Sequence, residues 1–497
     1  MWWPKINVRP FGPDRNPRRT ERSVIEPSRD GGPETTELTA EPKISLPRSG
    51  AVGKLSRRAW KWVLSSRLIL ISIASILTGI LVGLVGGAFR YLLIAADHGR
   101  VALITWAHTW PHLGWLAPVA LALGGASLAR LLVVQFAPTA EGSGVQHVEA
   151  AFRGQAKIAP RHIVPVKFFG GLLAIGGGLA LGREGPTVQM GASLGWLTSR
   201  VFLKNDQDVN IVGAAGAGAG LAVAFNAPIG GSIFVFEELA GLFTPWLTVA
   251  TLSSAVVAVW IVRMILGNEL DFTVQQISLT HDWAVLPFLA LGAILGALGA
   301  LFNFATVFLL RVADRLPDGS SIHRAAIVGA TVGLAAWFAP TLVGGGEPLT
   351  QAILSDHFAT GSLVMVFLVR LLLSPWSYAA GAPGGIFAPL LALGASSGAL
   401  FAALGNHVLP LGISPTSCAV VGMGALFSAS VRAPLTGIIL TTEMTGRGDL
   451  TLPLLAASLM AMVVAMLLKS EPIYETLKRR MLERQTPGSK PAGAPPQ

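Results

Sequence analysis

From Leu68 to Phe89 the chain carries no charged residue. At about 1.5 Å per residue, a helix over that stretch covers the roughly 30 Å hydrocarbon core of a bilayer. Similar apolar runs recur near 113–135, 163–200, 209–240, 245–266, 284–311, 324–343, 361–378, 386–405, 416–442 and 449–468. The first is too long, and starts too late, for a signal peptide. Several of the others hold glycines and prolines in mid-run, which predicts broken or re-entrant helices beside complete spans. In lipid, interrupted backbone survives only where protein buries it or water lines it. The expected fold is an all-α polytopic membrane protein.

Composition agrees. Of 497 residues, 52% are hydrophobic and 13% charged, with a mean hydropathy of +0.59; a soluble domain carries about a quarter charged. A net charge of +10 would suggest nucleic acid in a soluble protein, but much of the basic excess sits in the tails. Arg15, Arg18, Arg19, Arg57, Arg58, Lys61 and Arg67 precede the first span, and Lys478, Arg479, Arg480 and Arg484 follow the last. The positive-inside rule accounts for them and puts both ends in the cytoplasm. The expected setting is a bacterial inner membrane, with the lipid bilayer and no nucleic acid as partner. Residues 1–67, rich in Pro, Ser, Thr, Gly and mixed charge, read as a disordered basic tail. Residues 471–497 read as a terminal helix and a short stub, too little for a folded regulatory domain. The single Cys418 excludes an intramolecular disulfide and a cysteine metal site. The nine histidines form no close metal motif, so neither metal nor other cofactor is expected, and His147 is expected to face water.

The membrane part is built twice, over 68–270 and 271–470. The segments 216-GAGAGLAVAFNAPIGGSIFVFEEL-239 and 422-GMGALFSASVRAPLTGIILTTEMT-445 share, at an offset of 206, Gly216/Gly422, Gly218/Gly424, Ala227/Ala433, Pro228/Pro434, Gly231/Gly437 and Glu237/Glu443. A second pair, 182-GREGPTVQMGAS-193 and 385-GIFAPLLALGAS-396, aligns at 203. Internally repeated transporters place their site at the repeat interface. Hydropathy alone leaves parallel and inverted repeats open.

In both copies a glycine turn precedes a proline that starts a helix, a favoured place for proline. The free amides there, with the positive end of the helix dipole, suit an anion. A third such start is 141-EGSGVQHVEAAF-152. Close packing explains Gly191 and Gly394 equally well, but it does not explain Glu184. A carboxylate at membrane depth is functional by default, and only Arg183 offers itself nearby as a partner. Such a carboxylate would compete with an anion for the same amides. Protonation would release them, coupling a proton to an anion by exclusion. Glu237 and Glu443, being repeat-related, read as structural groups at helix ends.

The strings 142-GSGV-145, 167-KFFGG-171, 182-GREGP-186, 226-NAP-228 with 237-EE-238, 381-GAPGGIFAP-389 and 432-RAPLTG-437 resemble the CLC family of chloride channels and chloride/proton antiporters. They stand in the family's order from about residue 70 to Tyr474. The resemblance implies two inverted repeats in a homodimer, each subunit with its own anion pathway, and places 227–239 and 433–445 at the dimer interface. It implies that Ser143 and Tyr474 donate hydroxyls to a central chloride, with the amides of Ile386 and Phe387 completing the site. Glu184 matches the external gating glutamate and Glu238 the internal proton-transfer glutamate, while Lys167, Arg183 and Gly185 support the pathway. Where the family commonly has GSGIP this chain has GSGVQ, so Gln146 stands for proline at a helix start. Serine at 143, where nitrate-preferring relatives carry proline, implies chloride.

Chloride/proton antiport is therefore the expected activity. A passive chloride channel of the same fold is the alternative, and Glu238, usually apolar in channels of the family, argues against it. A distant alternative is an intramembrane hydrolase, since 191-GASLG-195 and 394-GASSG-398 fit G-x-S-x-G. The pattern's presence in both repeats fits shared packing better than one nucleophile, so no enzyme is expected.

Overall fold

The computed structural model describes residues 66–485, apart from short stretches at 111, 157, 275–284, 316, 318–319, 356–357 and 409–411. The expected N-terminal tail as far as residue 65, and the stub from 486, lie outside the described residues. Among the described residues, eight helices form a first half: α1 (Ser66–Ala107), α2 (Leu116–Phe136), α3 (Val145–Phe152), α4 (Pro160–Gly176), α5 (Glu184–Phe202), α6 (Asp206–Phe225), α7 (Pro228–Phe234, prolonged by a π turn over Val235–Ala240) and α8 (Pro245–Leu266). Eight more follow in a matching order of long and short: α9 (Val285–Asp314), α10 (Ser321–Phe338), α11 (Glu347–Leu354), α12 (Thr360–Tyr378), α13 (Phe387–Val408), α14 (Pro415–Val431), α15 (Pro434–Thr445) and α16 (Thr451–Leu467). A last helix, α17 (Ile473–Gln485), has no counterpart among the described residues.

Three apolar runs split where the sequence places its breakers. The run 163–200 becomes α4 and α5, 209–240 becomes α6 and α7, and 416–442 becomes α14 and α15. α6 ends on Asn226 and α14 on Arg432, both left-handed (φ 49° and 73°), and each time a proline then opens the next helix. Arg432 is held in that costly conformation by its guanidinium, which donates to the Ser470 carbonyl at 2.6 Å.

α1 departs from expectation. Its apolar run stops at Phe89, yet the helix continues through Arg90, Asp97 and Arg100 to Ala107. Those charges have partners. Arg90 pairs with Asp271, and Arg100 pairs with Asp97 and caps the end of α4 through the Gly176 carbonyl at 3.3 Å. Charge at that point marks a contact, not the end of the helix.

The two halves are related by a local two-fold axis and run in opposite senses. Gly182 and Gly385 are equivalent by offset and exchange both backbone hydrogen bonds, at 2.8 and 2.7 Å, as an antiparallel pair. The relation recurs at α7 and α15. Glu237 accepts from the amides of Leu435 (3.1 Å) and Thr436 (2.7 Å), and Glu443 accepts from those of Ile229 (3.1 Å) and Gly230 (2.6 Å). Each carboxylate thus satisfies the free first-turn amides of the other half's helix. The axis sends α5 and α13 away from a common starting point in opposite directions.

α6 and α14 are buried on nearly every face, and α1, α2, α8, α9 and α16 present apolar side chains outward, as lipid requires. Close helix approach explains Gly191 and Gly394 as expected. A Cβ on either would run into the backbone carbonyl of Gly216 or Gly422 on the neighbouring helix. Ser193 and Ser396 each donate to a carbonyl of their own helix, Gln189 at 2.8 Å and Leu393 at 2.9 Å. Neither is arranged as a nucleophile.

Candidate functional site

The loop before α3 is built on alternating backbone signs. Gly142 and Gly144 have φ of 63° and 84°, values open to glycine at little cost, and this turns the carbonyls of Gly142 and Ser143 to one side. The buried Lys167 of α4 donates to both, at 2.7 and 2.9 Å. The Ser143 amide donates to the Tyr378 hydroxyl at 3.2 Å. With its backbone fixed from both directions, Ser143 presents its side-chain oxygen, which is buried and has no hydrogen-bond partner. Gly185, in the first turn of α5, lies directly against it; a Cβ there would stand 2.7 Å from Ser143 Oγ.

Tyr474 opens α17, fully buried, and its hydroxyl likewise has no partner. Asn303 fixes the approach by donating to the carbonyls of Ser430 (3.0 Å) and Glu471 (3.1 Å). The two hydroxyls are close enough to influence one another. Leaving both unsatisfied costs on the order of 1–3 kcal/mol each. Two buried donors without acceptors suit an anion.

Glu184 is the first residue of α5 and is fully buried. Its Oε1 accepts from the amides of Phe387 (2.6 Å) and Ala388 (3.2 Å) at the start of α13, and its Oε2 has no partner. The carboxylate of one half thus occupies the helix start of the other. The amides involved are those of Phe387 and Ala388; the Ile386 amide is not among them. Arg183 is not the partner of Glu184. Its guanidinium turns to the Ala224 carbonyl at 2.9 Å, to Asp271 at 3.2 Å and towards Glu347 at 3.8 Å.

Aromatic rings surround Phe387. Phe427 stacks on it at 4.7 Å, Phe234 meets it edge-on at 5.7 Å, and the Tyr474 ring lies 5.7 Å away. One turn beyond Phe234 on the same helix stands Glu238. It lies in the electrostatic field of Glu149, Glu237, Lys478 and Arg153. Lys478 and Arg153 both bind Glu149, at 2.7 and 2.9 Å, which joins α17 to α3. Phe234, one turn before Glu238, thus meets the ring of Phe387, whose amide Glu184 holds. Glu237 faces away into its α15 cap.

Two residues that sequence reasoning passed over also hold these loops, one of them a symmetry twin. Arg370 of α12, fully buried, donates to the carbonyls of Leu342 (3.2 Å), Gly344 (2.9 Å) and Gly345 (2.8 Å). It is the twin of Lys167 at offset 203, serving the loop before α11 as Lys167 serves the loop before α3. The signal was present in 136-FAPTAEGSG-144 and 338-FAPTLVGGG-346, which match at 202. The second is Tyr378. His147 does not face water: it is 1% exposed and its Nδ1 lies 3.1 Å from Gln189 Nε2.

An antiparallel pair of membrane repeats, whose broken helices meet at buried hydroxyls and a carboxylate seated on helix-start amides, defines an integral membrane ion-transport protein. The family model described as voltage gated chloride channel matches residues 124–466. The H+/Cl− exchange transporter ClcA of Vibrio cholerae is 39% identical over 423 residues, spanning 83% of this chain and 89% of that protein. The transporter of that name in Cronobacter sakazakii is 35% identical over 416 residues, spanning 82% and 89%. A solved structure, of a slow cyanobacterial Cl−/H+ antiporter, superposes with a TM-score of 0.80 at 33% identity, covering 84% of this chain and 99% of that one. The chain belongs to the voltage-gated chloride channel family, the CLC family.

Proposed function

We propose that the protein exchanges chloride for protons across the membrane. The carrying observation is that Glu184 Oε1 accepts the Phe387 and Ala388 amides beside two unpartnered buried hydroxyls, Ser143 and Tyr474. Chloride binds between those hydroxyls and takes the helix-start amides when Glu184 leaves them. A protonated Glu184 has no charge to hold it there, so anion and proton favour each other's presence. The names of the relatives, exchangers of H+ and Cl−, support the same reading. Glu238 serves as the proton's entry point on the α17 face, with water crossing the aromatic gap.

Basic side chains of α17 and of the end of α3, Lys478, Arg479, Arg480, Arg484 and Arg153, support a cytoplasmic position for that face and for both termini, in the inner membrane of a bacterium. A homodimer through α7 and α15 is supported by their surface. Ile229 and Leu435 are half exposed beside the partly exposed Glu443 and Glu237 caps. Lipid would meet those charges at a cost, and a second copy would cover them.

Purified protein in liposomes under an imposed chloride gradient tests the reading. Uphill proton movement is expected; chloride flux without it would replace exchange by passive conduction.

A further inference from the structure

The two unpartnered hydroxyls stand on different elements. Ser143 lies just before α3, and Tyr474 is the second residue of α17. Their separation is therefore set by how α17 lies against α3. Across that contact runs a buried ion pair, with Lys478 Nζ of α17 2.7 Å from Glu149 Oε1 of α3. Among the described residues it is the one ion pair between these two helices. Each member has a second partner on its own element. Glu149 Oε1 also takes Arg153 at 2.9 Å, and Lys478 also takes Glu475 at 2.5 Å. Arg153 and Glu475 reach water, whereas Glu149 and Lys478 do not.

Lys478 follows Tyr474 by four residues, which puts the two on one face of α17. Glu149 follows Ser143 by six, near the far end of the short α3. The other basic side chains of α17 pair elsewhere, Arg479 with Glu471, and Arg480 and Arg484 with Asp314. Lys478 differs in turning inward to α3. A buried ion pair adds little net stability, because desolvation offsets its attraction; its best attested use is to fix the register of packed helices.

We propose that Lys478 and Glu149 are positioning residues for chloride: their ion pair fixes α17 against α3 so that the Tyr474 and Ser143 hydroxyls close on one ion. The proposal rests on the reading of those hydroxyls as chloride donors. Each charged residue acts through the backbone of its own element. Without the pair the hydroxyls drift out of alignment, and a hydrogen bond weakens steeply as its angle closes.

Chloride titration calorimetry on the purified protein tests this with Lys478→Met, Lys478→Arg and the neutral pair Glu149→Leu with Lys478→Met, each in the native and in the Tyr474→Phe background. The neutral pair removes one charge of each sign and keeps the buried volume, so it leaves the net charge unchanged and carries the test if the single variant fails to fold. In the native background, Lys478→Met and the neutral pair are expected to weaken chloride binding about tenfold, the worth of one hydrogen bond to a charged group. Lys478→Arg, which keeps the cation, is expected to bind close to the native level. In the Tyr474→Phe background, itself weakened, the same changes are expected to cost little more, because the hydroxyl they position is gone. A loss of equal size in both backgrounds would mean that the charges act through space or through general stability. Native affinity in the neutral pair would mean that the pair positions nothing. Either result overturns the proposal and leaves the central site standing. Chloride binding of native strength in Tyr474→Phe alone overturns the reading of that hydroxyl, and the positioning role with it.

Discussion

Glu184 Oε1 accepts the Phe387 amide at 2.6 Å, so a side chain from the first repeat fills the helix start of the second. The charge on that oxygen holds it there, because hydrogen bonds to an ionised acceptor are about twice as strong as neutral ones. Glu184→Gln keeps the shape and removes both the charge and the transferable proton. Proton movement in liposomes should fall to background while chloride flux persists. Full proton coupling in this variant would sink the gate.

Tyr474→Phe should have two effects of opposite sign. Without chloride, removing a buried hydroxyl that has no partner should leave the protein as stable as the native form, or more stable by about 1 kcal/mol. With chloride, the stabilisation that the ion confers on the native protein should shrink. Melting curves at several chloride concentrations read both; equal chloride dependence in the two proteins would remove Tyr474 from the site.

Glu237 and Glu238 are neighbours with different work. Glu238→Gln should strongly reduce uphill proton transport driven by chloride and spare chloride flux. Glu237→Ala should instead uncap α15, losing bonds to Leu435 and Thr436, and lower stability by about 1–2 kcal/mol with the proton-to-chloride ratio unchanged. Exchange of these two phenotypes would mean that the proton enters through Glu237.

Arg370→Met strips a buried cation from three carbonyls and should destabilise the protein by about 3 kcal/mol. Arg370→Lys should recover most of that loss, since Lys167 performs the same task with an ammonium group at the equivalent loop. Thermal melts in detergent decide it: a lysine variant no better than methionine would show that the two loops are not held alike.

What the sequence displayed was whatever repeats or breaks a pattern. Gly182/Gly385 and Glu237/Glu443 were legible as equivalent positions because few residue types fit a tight turn or a helix end in lipid. The sense of the repeat was not legible, since an offset carries no direction; the reciprocal bonds of those same residues supply it. α1 was read short because Arg90, Asp97 and Arg100 looked like the edge of a span, and their partners lie up to 181 positions away. α11 was missed because its loop shares little more than FAPT and spaced glycines with that of α3. Glu184 and Ser143 were singled out in the sequence, and the structure buries both where the halves meet. Which amides the carboxylate takes, and that Arg183 turns elsewhere, depends on distances between halves that no local pattern encodes.

The crossed capping of α7 and α15 by Glu443 and Glu237 restricts how this molecule can work. Many repeat-built carriers expose their cargo alternately by rocking one half against the other. Here such a swing would pull both carboxylates from the helix ends they cover and part the buried Gly182–Gly385 pair on the axis, leaving all of these amides without their acceptors at once. The halves are bolted at their hinge line. Rocking the halves as rigid bodies would therefore cost a set of hydrogen bonds that moving a single side chain such as Glu184 does not.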